Sequence, residues 1–169
     1  RESQELSPAA TQLGRRSFGA YRHGHQSRRH AARAAVMALV LDTGPLYATL
    51  DRDDAQYRRC LDLLQNTVEP LVIPAPVLAE LDWLVHTRLH PGVFLALLDD
   101  VIAGAYQVEE LQPEDYRRIR EVCDRYADAD VGFVDAAVLA VVERLKEPKL
   151  ATLDYRHFRV LRPRHVDVL

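Results

Sequence analysis

The chain has 169 residues, 48% of them apolar and 28% charged, which suits one ordinary globular domain and leaves little room for two. No apolar run approaches the ~18 residues of a membrane span, so a transmembrane helix is excluded and no membrane partner is expected. The net charge of −3 conceals an asymmetry: residues 1–36 carry seven arginines against Glu2 and Glu5, so the remainder is strongly acidic.

The basic segment 1–36 holds few large apolar residues, and these recur at no helical or strand period. Such a stretch buries too little surface to offset its ordering entropy, and a disordered leader is expected. Met37, the only methionine, stands directly before the first structured-looking segment, so 1–36 also reads as sequence upstream of the true start. Cys60 and Cys123 are far apart and form neither a CxxC pair nor a disulfide framework, which points to a reducing compartment and a cytoplasmic location.

From residue 37 onward, strands alternate with helices. Ala38–Leu41 is a continuous apolar run, as in a strand buried on both faces, and ends at Asp42-Thr43-Gly44-Pro45, where a short helix starts. A helix is predicted over Asp53–Gln65, with Tyr57, Cys60, Leu61 and Leu64 at i, i+3, i+4 and i+7. Leu71–Ile73 reads as a second strand, followed by a helix from Ala75 or Pro76 to about Leu89, since proline suits a first turn. A helix over Val93–Ala103 closes at Gly104. Tyr106–Val108 reads as a strand, the segment from Pro113–Asp115 through Tyr126 as a helix, Phe133–Lys146 as an apolar, buried helix, and Leu150–Leu153 as a strand ending at Asp154. A short helical turn and a basic tail follow. This order implies an α/β domain over residues 37–169, a central mostly parallel sheet flanked by helices, with its functional crevice at the carboxyl ends of the strands.

Acidic residues collect where that crevice is expected. Asp42 and Asp154 each follow a strand; a single such aspartate is as well explained by helix capping. Glu80 lies among Pro76, Val77, Trp83 and Leu84 at helical spacing, although Asp82 is only slightly less embedded and Glu80 also reads as the border of a solvated face. Asp135 opens a helix that is apolar almost all round. The helix dipole favours that charge by roughly 1 kcal/mol, well short of the several that burial costs. A cation closes the gap most simply. Asp124, Asp128 and Asp130 read either as outer ligands or as a solvated loop. Carboxylates are hard donors, favouring Mg²⁺ or Mn²⁺ over zinc. His86 and His90 are spaced as a zinc pair, but Pro91 interrupts their helix and a surface role fits better.

Four blocks then carry a resemblance: Leu39-Val40-Leu41-Asp42-Thr43-Gly44-Pro45-Leu46, Pro74-Ala75-Pro76-Val77-Leu78-Ala79-Glu80-Leu81, Tyr126-Ala127-Asp128 with Gly132-Phe133-Val134-Asp135-Ala136, and Thr152-Leu153-Asp154-Tyr155-Arg156-His157-Phe158. In this order, over about residues 37–162, they resemble a PIN-domain ribonuclease, in particular the VapC toxins of bacterial toxin–antitoxin modules. The resemblance implies a PIN-like three-layer sandwich and a Mg²⁺-dependent endoribonuclease acting on single-stranded or loop RNA, often tRNA or rRNA. It also implies a homodimer and inhibition by a cognate antitoxin at the active site. It assigns Asp42, Glu80, Asp135 and Asp154 to metal binding and catalysis, with Thr43 and Asp128 supporting them from behind. Asp130 stands where the family frequently has proline. The chemistry implied is attack by a metal-activated water, leaving a 5′-phosphate and a 3′-hydroxyl.

Arg156, Arg159 and Arg162 follow Asp154 and read either as phosphate grips for RNA or as a docking face for an acidic antitoxin tail. Tyr155 is placed to stack on a base, whereas Phe158 fits the core better. Two rival classes fit the pattern less well. A haloacid-type phosphatase wants DxD after its first strand, and Asp42-Thr43-Gly44 lacks it, while a phosphoacceptor receiver wants a lysine late in the sheet, and Leu150-Ala151-Thr152 lacks one. A catalytically silent PIN-like module binding RNA or a protein partner is the other alternative, and crowded carboxylates give such a binder no advantage.

Overall fold

The structure, a computed structural model, describes residues 37–129, 131–146, 149–161 and 167–168. The leader expected over 1–36, together with Asp130 and Arg162, lies outside the described residues, as do the side chains of His157 and Arg159.

Five parallel strands form the sheet: β1 (Leu39–Leu41), β2 (Leu71–Pro74), β3 (Gln107–Glu109), β4 (Lys149–Ala151) and β5 (Asp167–Val168), in the order β3-β2-β1-β4-β5. Helices flank it in the three-layer arrangement the sequence implies. They are α1 (Thr43–Leu50), α2 (Tyr57–Asn66), α3 (Ala75–Arg88), α4 (Pro91–Ile102), α5 (Pro113–Arg125), α6 (Phe133–Leu145) and α7 (Tyr155–Leu161). The central strands are fully buried, Leu39–Leu41 and Leu71–Pro74 throughout, as continuous apolar runs in a parallel sheet require. Progression from β1 runs outward to β2 and β3 on one side and returns to β4 on the other. The topological switch point therefore lies between β1 and β4, where open α/β sheets place their ligands.

Three differences from the sequence expectation have local causes. The helix predicted from Asp53 begins at Tyr57, because the Asp51 carboxylate accepts from the Asp53 amide at 3.0 Å and Asp54 from Gln56 at 2.7 Å. Those bonds hold the backbone in turns that compete with the first helical turn. β4 stops at Ala151, leaving Thr152 and Leu153 between the strand and Asp154. β5, expected as tail, adds parallel to the edge of β4 through Lys149↔Asp167 and Leu150↔Val168; two residues carry no legible period. The apolar helix is as expected: Ala136–Val142 of α6 are all buried. It ends at Leu145, where Lys146 takes a left-handed conformation.

α6 is fixed at its far end by Arg144. The guanidinium Nε donates to both oxygens of buried Asp115, at 3.0 and 2.9 Å, Nη1 donates to Glu109 at 3.0 Å, and Nη2 to the Glu110 carbonyl at 3.2 Å. This network joins α6 to the start of α5 and the end of β3. Arg144→Met leaves the Asp115 carboxylate buried without its cation and is expected to lower unfolding free energy by about 3 kcal/mol in urea denaturation. Adding Asp115→Asn, which removes the stranded charge, is expected to regain part of that loss. A loss under about 1 kcal/mol for the single variant would show that the network carries little.

Candidate active site

The site begins with strand register. β1 and β4 pair as Leu39↔Lys149, Val40↔Leu150 and Leu41↔Ala151, so the next residues, Asp42 and Thr152, stand side by side at the carboxyl end of the sheet. The Asp42 amide donates to the Ala151 carbonyl at 3.0 Å, and the Thr152 hydroxyl donates to Asp42 Oδ2 at 2.6 Å. Asp42 is also the N-cap of α1, with Oδ1 accepting from the Thr43 amide at 2.7 Å. Thr43 in turn donates its hydroxyl to Glu80 Oε2. The Asp154 amide donates to the Thr152 hydroxyl at 3.0 Å. Asp135 sits in the first turn of α6 and accepts from the Gly132 amide at 3.1 Å. Gly44 permits the closeness of the two strand ends, since a Cβ there would come within 3.1 Å of the Leu153 Cβ.

These side chains line one cleft of about 680 Å³, formed by Asp42, Thr43, Gly44, Glu80, Leu84, Asp135, Leu153, Asp154, Tyr155 and Arg156. All four sequence-predicted acids are thus brought to a common hollow from four different segments. Thr43 is there as expected, bonding Glu80. Arg156 forms part of the wall, whereas Asp128 is exposed on a short 3₁₀ turn and is not among the lining residues. Tyr155 lines the cleft and its hydroxyl accepts from Arg59 at 3.3 Å; Phe158 is in the core. His90 caps α4 by accepting from the Gly92 amide at 3.1 Å, and His86 pairs with Asp82 one turn away, so neither is a zinc ligand pair. Sequence reasoning missed Thr152, whose hydroxyl donates to the Asp42 carboxylate and accepts from the Asp154 backbone amide. The signal for it is the parallel register itself, which sets residue 152 opposite 42.

Asp42 is only 5% exposed, and its carboxyl is pushed up from 3.8 to about 6. Burial is the main cause; the hydrogen bonds from Thr152 and the Thr43 amide oppose it, and the charges of Asp135 and Glu80 add to it. The donor chemistry fits a hard divalent cation: four carboxylates and hydroxyls, with no histidine or cysteine in the lining. Among the described residues no three acidic, histidine or cysteine side chains close into a ready-made metal cluster, so the cleft is an open bay.

A parallel α/β sheet with an acid-lined crevice at its switch point defines the class. The family model for the PIN domain matches residues 39–162, and the chain belongs to the PIN-domain family, in its VapC group. Ribonuclease VapC26 of Mycobacterium tuberculosis is 30% identical over 125 residues, covering 74% of this chain and 93% of that protein. The crystal structure of Mycobacterium tuberculosis VapC20, a sarcin-ricin loop cleaving toxin, superposes with a TM-score of 0.69 at 19% identity, over 76% of this chain and 98% of that one. VapBC2 from Rickettsia felis, bound to a DNA fragment from its promoter, gives 0.58 at 17% identity, over 79% and 98%. At those identities the two structures establish a shared fold.

The raised Asp42 pKa has a definite sign for stability. The unfolded chain releases this proton near 3.8, whereas the folded protein keeps it to about 6. The native state therefore binds more protons across that window, and the group's contribution is full below about pH 4 and lost as pH rises through 6. Without divalent ions, Asp42→Asn is expected to match the parent near pH 4 and to exceed it by about 3 kcal/mol at pH 7.5, the worth of roughly two pKa units. Urea denaturation at both pH values checks this; equal stability at pH 7.5 would contradict the burial cost.

Proposed function

We propose that this chain is a metal-dependent endoribonuclease, hydrolysing phosphodiester bonds of single-stranded or loop RNA, with tRNA or rRNA as substrate class. It acts as the toxin of a toxin–antitoxin pair. The observation that carries this reading is a buried, hydrogen-bonded Asp42 sharing one cleft with Glu80, Asp135 and Asp154. The ribonuclease name of VapC26 and the loop-cleaving description of VapC20 support the activity, and the VapBC2 assembly supports an antitoxin partner. A homodimer and a cytoplasmic location accompany that reading. A silent binding module has no use for a carboxylate buried among like charges at a cost of several kcal/mol.

Mg²⁺, with Mn²⁺ as substitute, supplies polarisation of the phosphodiester and a lowered pKa for the attacking water. Asp42 and Asp135 would hold it. Glu80 has Oε2 occupied by the Thr43 hydroxyl, which leaves Oε1 to orient the water and take its proton. Asp154, its amide tied to Thr152, completes the acidic wall. Arg156 presents a guanidinium to the substrate phosphate, and Arg159 and Arg162, which follow it in the sequence, are further candidate cations for the RNA. The 2′-hydroxyl takes no part, and the products carry a 5′-phosphate and a 3′-hydroxyl.

Asp42→Asn and Asp135→Asn are each expected to lower Mg²⁺-dependent RNA cleavage by about a hundredfold or more while both proteins stay folded by circular dichroism. A chelator is expected to stop the parent and added Mg²⁺ to restore it; full activity in either variant refutes the assignment. Thr152→Val removes the hydroxyl that orients Asp42, and is expected to weaken Mn²⁺ binding about tenfold by calorimetric titration, with Thr152→Ser near normal. Unchanged affinity in the valine variant would deny Thr152 a positioning role.

A further inference from the structure

The guanidiniums that brace this fold are met by carboxylates: Arg118 by Glu121 and Glu143, Arg144 by Asp115 and Glu109. Arg59 and Arg156 differ. Both are exposed, and among the described residues neither pairs with a carboxylate. Arg156 lines the acidic cleft directly. Arg59 reaches its edge from α2, where Nη2 donates to the Tyr155 hydroxyl at 3.3 Å, and Tyr155 is the lining residue next to Arg156.

A phenol accepts this bond without neutralising the guanidinium, so Arg59 keeps its charge and the other N–H donors of its fork. Its place on the helix does not favour it either. Arg58 and Arg59 stand in the first turn of α2, which holds no acid, and the helix dipole there disfavours cations. Helix stability and ion pairing therefore leave this cation unexplained, and an anionic ligand explains it.

Charge and the neighbouring ring select that ligand. A strand whose phosphodiester lies in the cleft passes Tyr155 and Arg156, since both line it. A basic protein segment drawn to the carboxylates is repelled by the two guanidiniums at the same edge. An acidic segment is drawn to the guanidiniums but repelled by Glu80, Asp135 and Asp154. An RNA strand over a cation-loaded cleft meets neither conflict: its phosphates suit Arg59 and Arg156, and Tyr155, bonded to the first and adjacent in sequence to the second, offers a ring to a base.

We propose that Arg59 binds an RNA phosphate flanking the scissile one, held at the edge of the cleft by the Tyr155 hydroxyl. This rests on the nuclease reading above and extends its substrate site from α7 onto α2. Arg59 then contributes affinity for the strand, equally in the ground and transition states.

Full-length Asp135→Asn protein, in which cleavage is slow, is titrated with end-labelled single-stranded oligouridine RNA over a range of salt concentrations, and fluorescence polarisation measures binding. Adding Arg59→Ala is expected to weaken binding about fivefold at the lowest salt and to lessen the slope of log affinity against log salt by about 0.7, the share of one phosphate contact on a single strand. Arg59→Lys is expected to keep the slope; Tyr155→Phe, which removes the acceptor and no charge, is expected to keep it too while weakening binding about twofold. In the otherwise native chain, Arg59→Ala is expected to raise KM about fivefold with kcat near that of the parent. Parent-like affinity and slope in Arg59→Ala overturn the phosphate contact and leave the nuclease standing. Weaker binding with an unchanged slope also overturns it, and makes Arg59 a prop for Tyr155 alone. Weaker binding of the antitoxin with RNA binding unchanged overturns it as well, and gives this edge to a protein. Absence of any RNA binding or cleavage by the parent overturns both readings.

Discussion

Everything at the site depends on one buried carboxylate. Asp42 is placed by the β1–β4 register opposite Thr152, taken almost wholly out of water, and left near two further acids. Burial of such a group is tolerated because its two oxygens are met by different donors, the Thr43 amide and the Thr152 hydroxyl. Each donor also reaches a second acid: Thr43 through its hydroxyl to Glu80, Thr152 by accepting from the Asp154 amide. The acids are thus spaced by threonines, which hold mutually repelling groups in one bay without neutralising them. The remaining imbalance is what a divalent cation is suited to resolve.

The frame that holds this bay reaches well beyond it. Asp135 belongs to α6, and α6 is anchored at its opposite end by Arg144 between Asp115 and Glu109. Arg118 adds a second link, a two-nitrogen fork donating to Glu143 at 2.8 and 3.2 Å, so α5 and α6 are joined by two guanidiniums. Bidentate pairs fix orientation as well as distance. The rotation of α6, and with it the aim of Asp135 and the exposure of Phe133, is set by ion pairs at the opposite end of the helix. The same Arg144 also holds the Glu110 carbonyl, next to the end of β3.

Much of this was legible in the sequence because it is written in local pattern. Continuous apolar runs marked β1 and β2, prolines at 74 and 76 marked the entry to α3, and an aspartate after a strand or inside an apolar helix marked Asp42, Asp154 and Asp135, while Glu80 was not separable from Asp82 by spacing. What stayed hidden depends on relations between distant segments. Thr152 gains meaning only when residue 151 is known to pair with residue 41. Asp128 sits in the right block of sequence, yet its 3₁₀ turn leaves it outside the lining of the cleft. Trp83 belongs to the apolar neighbours of Glu80 at helical spacing yet is exposed, because such spacing assigns residues to a face without saying whether that face is covered. β5 was invisible for the opposite reason: two residues are too few for any period, and their strand character comes from the edge of β4.

A negatively charged site for a negatively charged polymer demands a division of labour. The acidic bay repels phosphate until a cation reverses its sign, so affinity for RNA must come from elsewhere on the surface. Under the nuclease reading, Arg156 on one wall of the cleft offers the charge for that contact, and phosphate contacts of this kind weaken steeply as counterions are added. Binding energy gained away from the reacting phosphate would then be spent on positioning it over the carboxylates.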